Sequence, residues 1–285
     1  MTRGTTAILS IILFLNCGLV FAQTHEDWRL ERDYKSALRM MDSGHYDTAI
    51  QFFDMVLKKD PNRSDAYYQR GIAKWRTNDE QGALADFDQA IDISPHHYKA
   101  VWDRADLKKS REDVHGAIED YTLYIDLAKT SDHSSLLYDA YNKRGDIKLK
   151  IDDRQGAIKD FQTAIRLAPD NHVAYYRLGR LAYEEQNFKE AVKQFDKTLE
   201  YDKGSFMARY FRGMARYRLN DYYGALEDLD SCQYNVHGQD RAVLLYTKGM
   251  AKIHKNFKSG GCKDLKEALN MGYQEAEAAI EQYCR

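Results

Sequence analysis

Apolar and polar residues repeat along this chain in a fixed pattern from about Leu30 onward. The stretch Ser64–His97, SDAYYQRGIAKWRTNDEQGALADFDQAIDISPHH, shows one complete cycle. It predicts two short amphipathic helices with a turn at Thr77–Glu80. Gly71 places a small residue in the first helix. Ala83 opens the second, Phe87 follows four places later, and Ala90 and Pro95 close the unit.

The cycle length follows by subtraction. The alanines Ala49, Ala83, Ala117, Ala157, Ala191 and Ala225 are spaced 34, 34, 40, 34 and 34 residues apart. The small residues Ala37, Gly71, Ala105, Gly145, Gly179, Gly213 and Gly249 are spaced 34, 34, 40, 34, 34 and 36. Both series place a six-residue insertion, Asp132–Leu137, between the third and fourth copies. Its serines are candidate caps for the next helix, which Leu136 and Leu137 would lengthen. Pro61, Pro95 and Pro169, all the prolines of the chain, fall at one repeat position, where proline ends the second helix. Small residues are needed where paired helices approach to about 8–10 Å. Phe53, Phe87, Tyr121, Phe161 and Phe195 are expected to fill the space between copies.

A 34-residue helix–turn–helix unit with these small, aromatic and proline positions resembles the tetratricopeptide repeat (TPR) family. The resemblance runs from about Leu30 to the end. It implies an all-α solenoid of about seven repeats forming a right-handed superhelix, at 30–63, 64–97, 98–131, 138–171, 172–205, 206–239 and 242–275. The first copy is degenerate, with Asp33 and Ser36 at apolar positions. The sixth is expected to end in a turn at Asn235–Asp240. In the seventh, Gly260-Gly261 replaces the alanine and the second helix is expected over Cys262–Met271. A capping helix, 274–283, would cover the last face. One elongated domain is expected, since a solenoid grows without a separate core.

Residues 1–22 differ from the rest. Arg3 precedes the apolar run Ala7–Ala22, and Val20-Phe21-Ala22 resembles a cleavage site. The pattern is that of a signal peptide, so the mature chain would be exported, either periplasmic or secreted. An uncleaved membrane anchor and a lipid on Cys17 are the alternatives; Asn16 stands where a lipid acceptor wants a small residue. The 42 Lys and Arg, less Arg3, face 44 Asp and Glu. That near-balance argues against a nucleic-acid partner.

No HExxH, GxxxxGK[ST] or GxSxG sequence is present. The sequence therefore gives no catalytic, cofactor or metal residues, and His96-His97 reads as a solvated turn. The expected function is a non-enzymatic scaffold that holds a peptide or helix. The alternative is a structural part of a larger envelope assembly, using the convex face or the ends.

Two constellations stand out. At the seventh repeat position, Arg70, Arg104, Arg144 and Arg212 replace the family's usual leucine. The twenty-third position of the same copies carries Asp86, Asp120, Asp160 and Asp228. Copy seven has Lys248 with Asp264. The copies lacking the base, at Ser36 and Leu178, also lack the acid, at Phe52 and Gln194. Such covariation within one chain predicts a bridge between the two helices of a unit. An acidic-peptide site lined by the arginines is the functional alternative.

The resemblance also implies a concave groove lined by first helices at repeat positions two, five, nine and twelve. Those positions hold Tyr34, Tyr68, Trp75, Trp102, Tyr176, Arg180, Tyr183, Tyr210, Met214, Tyr217, Tyr246 and Met250. Aromatics and Met make adaptable contact surfaces. Tyr176, Tyr210 and Tyr246 are expected to face solvent, whereas Trp75, Tyr183 and Tyr217 could pack between repeats. Copies three and four place Lys99, Asp106, Lys109, Asp139 and Asp146 at the same positions. Tyr34 and Leu38 stand where members that bind acidic chaperone tails carry Lys and Asn, so that clamp does not transfer. Finally, a hairpin about Gly272-Tyr273 would bring Cys262 and Cys284 together as a disulfide, leaving Cys232 a buried free thiol.

Overall fold

The computed structural model describes residues 28–129 and 136–285. Residues 1–27, which include the stretch read as a signal peptide and Cys17, and residues 130–135, which include most of the insertion, lie outside the described residues. The chain divides into two compact units, Met1–Ser134 and Ser135–Arg285. Among the described residues the regular structure of both is helical, with one 3-10 residue at Leu136.

In the first unit, α1 (28–42) pairs with α2 (Tyr46–Lys59), α3 (Ser64–Arg76) with α4 (Glu80–Ile93), and α5 (Tyr98–Ser110) with α6 (Val114–Lys129). In the second, α7 (Leu137–Lys150) pairs with α8 (Arg154–Leu167) and α9 (His172–Glu184) with α10 (Phe188–Tyr201). Then α11 (Phe206–Arg218) pairs with α12 (Tyr222–Cys232) and α13 (Gly238–His254) with α14 (Lys258–Asn270). The closing helix is α15 (Glu275–Tyr283). Leu137 opens α7 and is buried, while Leu136 before it is exposed.

Each pair closes on a small residue. A Cβ added at Gly71 would lie 2.7 Å from the Phe87 ring, at Gly145 2.8 Å from Phe161, and at Gly179 2.7 Å from Phe195. The fully buried aromatics therefore seat first on the glycine of their own copy, not only between copies. Leu229 and Leu265 take that role in the last two copies. In the seventh, the backbones themselves approach: a Cβ on Gly261 would meet the Gly249 carbonyl oxygen at 2.7 Å. That contact explains glycine at a position that holds alanine elsewhere.

The turns are equally regular. Asp79, Asp113, Asp153, Asn187 and Asp221 each accept a backbone N–H three residues on, capping or opening the second helix. One residue before each of them the backbone is left-handed: Asn78, Glu112, Asp152, Gln186 and Asn220 have φ of 60–64°. Gly44 in copy one and Asn256 in copy seven match them. A long side chain is strained there by about 1–2 kcal/mol. Gln186→Gly should therefore stabilise the protein by about 0.5–1 kcal/mol net of the added chain entropy, read as an increase in urea midpoint. Asn78→Gly, at a residue type that tolerates this conformation, should change less.

Copy seven departs from the expected frame at both helices. α13 begins at Gly238, inside the stretch expected as a turn, and α14 begins at Lys258, before Cys262. The short α12 and the buried Val236 let the chain enter α13 one turn early. Proline stands just past the C-caps Asp60, Ser94 and Ala168.

Candidate functional site

The charged ladder is bidentate. Arg70 Nε and Nη2 donate to Asp86 at 2.8 and 2.6 Å, and Arg104 to Asp120 at 2.9 and 2.6 Å. Arg144 meets Asp160 at 2.9 and 2.7 Å, and Arg212 meets Asp228 at 2.8 and 2.5 Å. All four carboxylates are buried. Burial opposes the charge on Arg70, but the Asp86 and Asp54 carboxylates outweigh it and hold its pKa above the ordinary value.

Two further layers escape the pairwise sequence pattern. First, a second cation four residues along the same helix reaches each buried carboxylate. Lys74, Lys108, Lys148 and Arg216 lie 2.8–2.9 Å from Asp86, Asp120, Asp160 and Asp228. Second, the third arginine nitrogen reaches back to the preceding copy. Arg70 meets Asp54, Arg104 meets Asp88 and Arg212 meets Asp196, at 2.6–2.7 Å. The signal for both was available, because basic residues recur at position eleven and aspartates at position twenty-five.

Copy seven shifts its partners. Lys248 donates to Gln233 at 2.7 Å and lies 2.6 Å from Asp230 of the copy before. Asp264 is held instead by Lys252 at 2.6 Å. Lysine has one nitrogen and cannot serve both neighbours as the arginine fork does.

The inner aromatic positions do not all stay open. Tyr210 was expected at solvent but is 3% exposed, packed with Leu229, Cys232, Val236 and Leu244. The early start of α13 and the buried Val236 supply this cover. Met250 is also buried, against Leu265 and Ala279 of the closing helix. Tyr217 and Tyr246 border the same cluster, beside Ile280 and Tyr283. Burial pushes the Tyr217 phenol up to about 12.

Tyr176 and Tyr183 are half-buried around Phe211, at ring distances of 6.5 and 5.7 Å. The Arg180 guanidinium lies over Phe211, 4.1 Å from its centroid, with Tyr176 Oη 3.5 Å away. Met214 is half-buried nearby in α11. In the first unit, a hollow of about 640 Å³ is lined by Tyr68, Ile72, Trp75, Arg76 and Asp103. Tyr68 Oη donates to Asp103 at 2.8 Å, and Trp75 is edge-on to Phe87. Trp102 packs edge-on to Tyr121 and Tyr124.

His96 is exposed, but His97 is not a solvated turn residue. Its Nδ1 caps α5 by accepting the Ala100 N–H at 3.2 Å, and its ring lies 4.9 Å from that of Tyr68. Among the described residues no group of His, Cys, Asp or Glu is arranged to hold a metal. No described helix is long and apolar enough to cross a membrane.

A family model for the tetratricopeptide repeat matches residues 34–98, 142–199 and 176–232, more than half of the chain. This chain belongs to the TPR family. Among solved structures, a TPR protein from Parabacteroides merdae superposes with a TM-score of 0.59 at 17% identity, over 90% of this chain and 99% of that one. PilF of Pseudomonas aeruginosa gives 0.58 at 12% identity, over 73% and 92%. YrrB, described as a TPR protein with an unusual peptide-binding site, gives 0.52 at 20% identity, over 63% and 90%. These likenesses are of fold. No curated protein matches the sequence. TPR repeats mediate protein–protein interaction, which is the level at which the family describes this chain.

Proposed function

We propose that this TPR protein is a non-enzymatic scaffold whose second unit holds a peptide or partner helix on the inner faces of α9, α11 and α13. The observation that carries this reading is the half-buried set Tyr176, Arg180, Tyr183, Met214 and Tyr246 on three successive first helices. These side chains pack on neighbours yet stay part-exposed, which suits anchoring of an apolar side chain with little entropy cost. Tyr210 drops out because it is core. The Tyr68–Trp75 hollow of the first unit supports a similar role there. YrrB lends the reading support as a peptide binder of like fold. The Cys262–Cys284 disulfide supports export to an oxidising compartment.

The test is a peptide library selected on the full chain. Tyr176→Ala and Tyr246→Ala should each weaken a selected peptide by about 2 kcal/mol, roughly thirtyfold, with melting almost unchanged. Tyr210→Ala should instead lower melting. Peptides that bind both groove variants at full strength would rule the groove out.

A further inference from the structure

Copy five is where the ladder stops. At the three positions that carry two cations and a carboxylate in copies two, three, four and six it has Leu178, Ala182 and Gln194. The preceding copy offers Gln162 in place of the aspartate that reaches back. The shorter side chains leave a cavity of about 160 Å³ between α8, α9 and α10. Ile158, Gln162, Leu178, Leu181, Glu190 and Gln194 are among its walls.

The cavity is chemically unfinished. Gln194 Nε2 donates to Glu190 Oε1 at 2.6 Å, but Gln194 Oε1 is buried with no hydrogen-bond partner. Such orphaned acceptors are uncommon in native proteins. Glu190 itself stands where four other copies have Gly82, Gly116, Gly156 and Gly224. Here the chain has removed its own cations and added a carboxylate. The nearby positive groups are already engaged: Lys193 lies 3.4 Å from Glu190, while Arg154 and Arg180 meet Glu184 at 3.4 and 3.5 Å. Glu185 adds a second acid to the lining.

We propose that this cavity is a socket for an arginine side chain carried by a partner protein. The chain itself supplies the precedent, since an arginine fills the corresponding space in copies two, three, four and six. Ile158, Leu178 and Leu181 suit the methylene stem. A guanidinium, planar and with several donors, can satisfy Gln194 Oε1 and the Glu190 carboxylate together. The socket uses repeat positions seven, eleven and twenty-three, so it is a different site from the aromatic face proposed above.

The test is an NMR titration of the full chain with N-acetyl-arginine methylamide, following the side-chain amides of Gln162 and Gln194. Saturable shifts are expected, with N-acetyl-norleucine methylamide and the lysine analogue at least about tenfold weaker. Glu190→Gln should weaken the arginine probe about tenfold. Leu178→Arg combined with Gln194→Asp should fill the socket from within and abolish binding. Shifts that never saturate, equal affinity for norleucine or lysine, or binding unchanged in a folded filled variant would each overturn the proposal. Should the filled variant not fold, Glu190→Gln decides alone, because it keeps the size of a side chain that is still 40% exposed.

Discussion

Reducing the Cys262–Cys284 disulfide should detach the closing helix while leaving the earlier helix pairs intact. The bridge joins residues 22 apart, with Cα atoms 5.7 Å from each other. A loop of that length is worth about 3 kcal/mol. α15 needs it, because nine residues are too few for a stable isolated helix and only Ala276 and Ala279 of it are buried. Native-state hydrogen exchange should show α15 amides losing most of their protection after reduction or in Cys262→Ser/Cys284→Ser. The amides of α9 and α10 should hold theirs. Unchanged protection of α15 would show that packing on Met250 and Leu265 suffices. Cys232 will not confuse the experiment by exchange, since burial pushes its thiol up to about 11.

The second large effect lies in the ladder. Asp120→Ala should destabilise the protein by about 3 kcal/mol, because it strands both Arg104 and Lys108 beside a buried vacancy. Asp88→Ala removes the same arginine's other partner, but that carboxylate is 53% exposed and its loss should cost less than about 1 kcal/mol. Replacing the whole set as copy five does, with Arg104→Leu, Lys108→Ala and Asp120→Gln, should cost less than Asp120→Ala alone. Neutral residues leave no buried charge unpaired, and Asp88, which loses its partner, is exposed. Denaturant unfolding of the three variants orders them. If Asp120→Ala were no worse than Asp88→Ala, the buried bridges would be incidental to stability.

Much of this was legible in the residues. The period, the glycine crossings, the Arg and Asp positions and the terminal cysteines all repeat or pair along the chain, and repetition carries its own control. What escaped depends on geometry that a repeat frame averages away. Tyr210 occupies the same position as Tyr176, yet it is core, because α12 is short and α13 starts early beside it. Lys248 occupies an arginine position, yet it points to the preceding copy. The left-handed residue after each first helix was only partly visible: Gly44 and the asparagines Asn78, Asn220 and Asn256 suit it by type, but other copies do not. Glu112 and Gln186 tolerate a conformation their side chains disfavour.

The forked arginines also set how the protein comes apart. Arg70, Arg104 and Arg212 each hold their own copy with two nitrogens and the preceding copy with the third, so one side chain belongs to two neighbours at once. In a stacked array, such shared groups form part of the nearest-neighbour coupling that makes unfolding cooperative. Copies one to three are linked in this way, and copies five and six through Arg212; Lys248 of copy seven reaches only the copy before it. Copy five takes no such link from copy four, where Gln162 faces Leu178 across the cavity. Surface ion pairs carry the coupling there instead, Arg177 with Asp146 at 2.7 Å and Arg154 with Glu184 at 3.4 Å, so salt should weaken this joint more than the joints held by buried forks.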